Sequence, residues 1–213
     1  MIPKTIHQTW KDRDVPERFR AAQESWRQHH PGWQCRFWTD ADLDELVYER
    51  APEIAELYDR SPEAIQRVDV ARYVILREYG GLYADLDVEC MKPVDDLLDG
   101  PSVALPLTTP FGVSNQLMLS VPGHALFQHV IDALPRAFRR WGKVWQRHVR
   151  VLTTTGPLFL TGRLREFGVR DDMRILSLDG HGHGDPALSY VGHLPGDTWA
   201  AWDTHVRNYL HDN

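Results

Sequence analysis

Residues 61–90 read SPEAIQRVDVARYVILREYGGLYADLDVEC, and this stretch constrains the fold more than any other. Its first part is the clearest helix in the chain. Ser61 suits an N-cap, Pro62 the first helical position, and Glu63 the positive end of the helix dipole. Gly80-Gly81 is a strong stop. The apolar run 82–90 then reads as a strand entered directly from the helix.

The same alternation runs through the rest of the chain. Ile2 to Trp10 reads as a first strand, ERFRAAQESWRQHH as a helix ended by Pro31-Gly32, and WQCRFW as a second strand. Another helix starts near Thr39-Asp40. SVALPLT and NQLMLSV read as short strands, and HALFQHVIDALPRAFRRW as a helix broken or kinked at Pro135. GPLFLTGRLREFG is helical, and RILSL and ALSYVG are late strands. Strands alternating with helices predict an α/β fold around a mainly parallel sheet. No repeat, low-complexity tract or linker divides residues 1–213, so one domain is expected.

Composition narrows the function classes. Hydrophobic residues make up 42% and charged residues 25%, values of a globular chain. The net charge of -6 argues against nucleic-acid binding through a basic surface. Cys35 and Cys90 have no metal or redox spacing, which favours a reducing, cytoplasmic setting. The first ten residues lack the apolar run of a signal peptide, and no stretch approaches the length of a membrane span. A protein free in solution, or at most peripheral to a membrane, is expected.

Asp-x-Asp occurs four times, at Asp12/Asp14, Asp40/Asp42, Asp42/Asp44 and Asp85/Asp87. Asp42 and Asp44 fall in the first turns of a helix, where acids satisfy free amides and the dipole. Asp12 and Asp14 fall in a polar turn beside Lys11 and Arg13. Asp85 and Asp87 follow an apolar strand. On a strand, carboxylates at i and i+2 point the same way, about 6–7 Å apart, which suits one divalent ion. Mg²⁺ or Mn²⁺ held by carboxylates and phosphate oxygens is the expected chemistry. On the preceding helix, Asp69 and Arg72 share a face with Val68 and Ile75 and read as half buried. They form either a structural ion pair or a pair aimed at a polyol and a phosphate.

IPKTIHQTW, RVDVARYVILREYGGLYADLDVE, TTTGPLFLTG and GHLPGDTW follow one another in an order that resembles glycosyltransferase family 32, the Och1-like, DXD sugar-binding-region enzymes. The same pattern more distantly resembles the glucosylating domain of clostridial toxins. The resemblance implies a GT-A fold, a single Rossmann-like domain, and a nucleotide-sugar donor. It further implies Mn²⁺ (or Mg²⁺) and transfer with retention of anomeric configuration. A UDP-sugar is the favoured donor and GDP-mannose the alternative. The acceptor is a glycan or lipid-linked hydroxyl, as in polysaccharide biosynthesis.

Residue by residue, the resemblance implies that Trp10 stacks on the nucleobase, with Gln8 and Thr9 beside it. Asp69 meets sugar hydroxyls and Arg72 the donor's sugar or phosphate. Asp85 reaches the ribose and a metal-bound water, and Asp87 binds the metal. Asn115 lies near the donor sugar, and Thr155-Gly156-Pro157 forms an acceptor-side turn. His193, Thr198 and Trp199 close over the diphosphate, with His193 a candidate metal ligand. The family usually has Ser where this chain has Thr198. Residues 179–190 have no family counterpart. There His181 and His183, with Asp179 and Asp185, read as a solvated Gly-rich loop or a second metal site.

Other readings share these residues. A nucleotide-sugar hydrolase would use water as acceptor, and an effector would glycosylate a protein. A carbohydrate-binding module fits the paired carboxylates poorly. Residues 135–150, rich in Arg, Lys and Trp, suggest peripheral membrane contact or a solvated helix with buried aromatics.

Overall fold

The structure, a computed structural model, describes residues 1–108, 112–176 and 190–194. The predicted alternation is present. Strand β1 (Thr5–Thr9) leads through α1 (Glu17–His29) to β2 (Gln34–Trp38). Helices α2 (Asp40–Arg50), α3 (Ala55–Asp59) and α4 (Ala64–Tyr79) then precede β3 (Gly81–Ala84) and β4 (Val88–Cys90). Next come β5 (Val103–Thr108), β6 (Gly112–Val113) and β7 (Leu117–Ser120). Helices α5 (Ala125–Trp141), α6 (Arg147–Thr154) and α7 (Pro157–Phe167) lead to β8 (Met173–Leu176) and β9 (Val191–His193).

The main sheet has the order β2-β1-β3-β7-β5-β6, with β8 against β5, and β4 and β9 pair separately. Strands β1, β2, β3, β5 and β8 share one direction, while β7 and β6 oppose it. The sheet is thus mainly parallel and flanked by helices. Side-chain alternation separates two cores. Tyr83, Met118, Val103 and Leu105 face the larger one, with Val74 of α4, Val130 of α5 and Leu160 of α7. Leu82, Ala84, Leu117 and Leu119 face the other, with Trp26 of α1. Each large side chain so buried stabilises the fold by roughly 1.5–3 kcal/mol before entropy is counted. Trp26 is fully buried, and its Nε1 donates to the Val88 carbonyl at 2.8 Å, tying α1 to β4.

Gly80 and Gly81 do more than end α4. Both have positive φ, 61° and 85°. A Cβ at Gly80 would stand 2.6 Å from the Ser120 carbonyl oxygen, and one at Gly81 2.6 Å from that of Thr5. Only glycine lets β3 start this close to β1 and β7.

Four local expectations are corrected. Ser61 does not cap α4; its hydroxyl donates to the Leu57 carbonyl, and Glu63 is the cap, in a reciprocal box with Gln66. Pro135 does not break α5, which runs through it to Trp141. β1 ends at Thr9, one residue before Trp10. The apolar run after Gly80 is two strands, not one: β3 ends at Ala84, and the Val88 amide donates to the Asp85 carbonyl at 3.1 Å in a tight turn. Of ALSYVG, residues 187–189 lie outside the described residues, as do residues 177–178 of RILSL.

Candidate active site

The Asp85-Leu86-Asp87 turn stands where β3 leaves the sheet. Because β7 is antiparallel to β3, its beginning lies beside the end of β3, and the Asp85 amide donates to the Gln116 carbonyl at 2.8 Å. Leu86 is buried against Val15 and Phe19, so the turn is anchored by its middle side chain. The two carboxylates are therefore presented by a turn rather than by strand alternation.

Asp69 and Arg72 are buried fully, not half, with 3% and 2% of their surfaces exposed. Arg72 Nη2 lies 3.2 Å from Asp69 Oδ1 and 3.2 Å from Asp85 Oδ1. Its Nη1 donates to Asp85 Oδ2 at 3.3 Å and to the Asn115 carbonyl at 2.7 Å. Asp69 accepts from Asn115 Nδ2 at 2.9 Å and from the Thr155 hydroxyl at 2.7 Å. Five residues from four separate parts of the chain thus form one network. Truncating one member of such a buried pair typically costs about 3–5 kcal/mol, because the partner's charge is stranded.

Two tyrosines that the sequence reading passed over complete it. Tyr83 donates its hydroxyl hydrogen to Asp85 Oδ1 at 2.8 Å. With that proton spent, the Thr9 hydroxyl, 3.1 Å away, is the donor to the Tyr83 oxygen. Tyr73 donates to the Thr155 carbonyl at 2.5 Å. The signal for Tyr83 was its place two residues before Asp85, on the same side of the strand; Tyr73 had none.

Charge in this network is not at ease. Burial disfavours the Arg72 charge, but the Asp85 and Asp69 carboxylates outweigh it and hold its pKa above the ordinary value. Burial raises the Asp69 carboxyl, against the pull of Arg72, Thr155 and Asn115. Burial also pushes the Asp85 carboxyl up to about 6, against Arg72, and the neighbouring Asp87 charge adds to the rise. A divalent cation beside the turn would remove that repulsion, so the donor set fits one. Among the described residues no group of three His, Cys, Asp or Glu side chains could hold a metal. A site of two carboxylates completed by diphosphate oxygens and water suits Mg²⁺ or Mn²⁺.

The other site residues fall as follows. Gln8 is buried, and its Nε2 has no hydrogen-bond partner among the described residues. Trp10 is half buried, edge-on to Phe19 with ring centroids 5.6 Å apart, and its Nε1 is likewise without a partner. His193 pairs through its backbone with Val88, and the Leu194 amide donates to the Asp87 carbonyl at 2.8 Å. The C-terminal pattern therefore meets the Asp turn, although the His193 side chain, Thr198, Trp199 and the 179–189 loop lie outside the described residues.

The competing Asp-x-Asp pairs have structural work. Asp42 closes a capping box with Thr39, whose backbone and hydroxyl hydrogen bonds hold its carboxyl below the usual range. Asp44 accepts from Tyr58 at 2.8 Å and pairs with Arg67. Asp12 accepts from the Asp14 amide at 2.9 Å in an exposed turn.

This sheet order, with an acidic turn leaving its central parallel strand, defines a GT-A glycosyltransferase fold. The UDP-bound glycosyltransferase domain of the YGT toxin superposes with a TM-score of 0.62 at 9% identity, over 92% of this chain and 83% of that one. The family described as "Glycosyltransferase sugar-binding region containing DXD motif" matches residues 16–104. Inositol phosphoceramide mannosyltransferase 1 of Schizosaccharomyces pombe is 34% identical over all of this chain and 66% of its own length. Inositol phosphoceramide mannosyltransferase 3 of the same yeast is 41% identical over 75% of this chain and 44% of its own length. The chain belongs to glycosyltransferase family 32, the DXD glycosyltransferases. It spans about two thirds of the first relative's length and under half of the second's.

Proposed function

We propose that this chain, acting as one domain, transfers a sugar from a nucleotide-sugar to a hydroxyl of a glycan or lipid-linked acceptor. The observation that carries this reading is the Asp69–Arg72–Asp85 network beside the Asp87 turn. Transfer breaks a bond to a diphosphate and builds positive charge on the sugar. Asp87 and Asp85 would hold a bound Mn²⁺ or Mg²⁺, which would supply a Lewis acid for the leaving diphosphate. Arg72, fixed by two carboxylates and a carbonyl, places a permanent positive charge next to the same group. Asp69 and Asn115 orient the sugar, Thr155 holds Asp69, and Trp10 with Gln8 and Thr9 takes the base. The two unpartnered NH groups of Gln8 and Trp10 support a polar ligand there. His193, Thr198 and Trp199 are proposed to close over the diphosphate.

Both oxygens of Asp69 accept hydrogen bonds, and both oxygens of Asp85 face Arg72. That supports transfer without a covalent sugar–enzyme intermediate; retention, by front-face attack of the acceptor hydroxyl, is proposed on the family resemblance. The mannosyltransferase relatives bring GDP-mannose ahead of the UDP-sugar favoured from sequence, and a lipid-linked acceptor ahead of a free glycan. Peripheral membrane contact through residues 135–150 fits such an acceptor; Trp145 is 93% exposed there. Phe138 packs against the core, and Arg147 and Arg150 pair with Glu63, so the contact would rest on Trp145 and the residues before it. Among the described residues no helix is long and apolar enough to cross a membrane. The cytoplasmic side, expected from the sequence, is proposed as the place of action.

A thermal-shift panel of nucleotide-sugars with Mn²⁺ tests the donor. Stabilisation by GDP-mannose that requires the metal supports the reading; no response to any nucleotide-sugar overturns it. Assays with and without acceptor separate transfer from the hydrolase reading.

A further inference from the structure

Between the C-terminal half of α5 and α7 lies a cavity of about 200 Å³ that takes no part in the network above. Arg136 and Arg140 line it from α5 and Arg163 from α7. In a chain of net charge -6, three guanidiniums around one cavity stand out. Among the described residues neither Arg136 nor Arg140 has a carboxylate within ion-pair distance. The single acid on the wall, Glu166, is engaged by Arg163 at 2.7 Å. The wall therefore carries a surplus of two positive charges.

Two of the three guanidiniums also lie over aromatic rings. Arg140 lies 5.0 Å over the Trp141 ring, and Arg163 5.5 Å over the Phe159 ring. Arg163 Nε is buried and has no hydrogen-bond partner among the described residues. Guanidiniums fixed by stacking meet an anion with little further loss of freedom. The planar fork matches phosphate oxygens two at a time, and a phosphomonoester carries about -1.5 to -2 at neutral pH. That charge matches the surplus. The cavity is smaller than the roughly 300–1,000 Å³ of sites for drug-sized ligands, so it suits a phosphate with a short carbon stem. Trp141, Leu158 and Phe159 offer that stem an apolar wall.

We propose that this cavity is a binding site for a phosphate-bearing group, supplied either free or as a lipid headgroup. It stands apart from the proposed catalysis, because none of Asp69, Arg72, Asp85 or Asp87 lines it.

The test titrates inorganic phosphate calorimetrically into the full chain, and separately pellets the chain with phosphatidylcholine vesicles with and without phosphatidic acid. Wild type is compared with R136Q/R140Q and with R27Q/R60Q, which removes the same charge elsewhere. Arg136, Arg140, Arg27 and Arg60 are all exposed, so both variants keep the fold, as melting curves would verify. Phosphate binding weakened about tenfold or more in R136Q/R140Q, but kept in the control, supports a free ligand. Pelleting only with phosphatidic acid, lost in R136Q/R140Q alone, supports the headgroup. Equal behaviour of wild type and R136Q/R140Q, equal loss in the control, or no binding of either probe overturns the site.

Discussion

The Thr155 hydroxyl donates to Asp69 at 2.7 Å, joining residues 86 positions apart. The turn between α6 and α7 thereby holds an acid of α4. Thr155→Val removes the donor and leaves a buried carboxylate oxygen short of a partner, at a cost of about 1–3 kcal/mol. Thr155→Ser restores most of it. Urea unfolding of the three proteins measures the difference, and a Thr155→Val protein as stable as wild type would show that the hydroxyl contributes nothing.

Asp87→Ala is expected to abolish metal-dependent nucleotide binding with the melting temperature nearly unchanged. Asp44→Ala should do the reverse. It strands Arg67 and Tyr58, lowering stability by about 1 kcal/mol, and leaves binding intact. Calorimetric titration with Mn²⁺ and nucleotide-sugar, repeated after chelation, checks both halves. Identical titrations for the two variants would remove the distinction between the acidic pairs.

Trp10→Ala should weaken nucleotide affinity about tenfold, since base–aromatic stacking is worth roughly 1–3 kcal/mol. Trp10→Phe keeps a ring against Phe19 and should recover much of it. Unchanged affinity in a folded Trp10→Ala protein would assign the indole to packing alone.

His7 makes stability pH-dependent. Its Nδ1 accepts from Trp38 Nε1 at 3.1 Å, so Nε2 carries the proton donated to the Gly80 carbonyl at 3.1 Å. Burial, with Arg36 nearby, lowers its pKa from 6.5 to about 4. The folded ring stays neutral where the unfolded one takes a proton. Its contribution is complete above pH 6.5 and falls away as the pH drops toward 4. The stability gap between wild type and His7→Gln should narrow by about 3 kcal/mol across that window. A gap constant with pH would mean that the folded ring titrates normally.

The α/β alternation was legible because each helix and strand carries its own period and stop, Gly80-Gly81 above all. The capping of α4 was misread because Ser61 is by type the better cap than Glu63, and only the bond of its hydroxyl to the Leu57 carbonyl takes it out of that role. The Asp85 turn was misread because Leu82, Ala84 and Leu86 continue an apolar alternation through it. β4 leaves that line because its partner is β9, a pairing that local pattern cannot reveal. The site residues came from motif order rather than from spacing. Of what the motifs omitted, Tyr83 was within reach through its place two residues before Asp85, whereas the bond of Tyr73 to the Thr155 turn depends on tertiary approach and is invisible in a linear reading.

The β4–β9 pairing gives the site a place in the order of synthesis. Asp85 and Asp87 leave the ribosome long before Val191 and Leu194, which brace their turn from the other side. A nascent chain therefore holds the acidic motif while still lacking its brace.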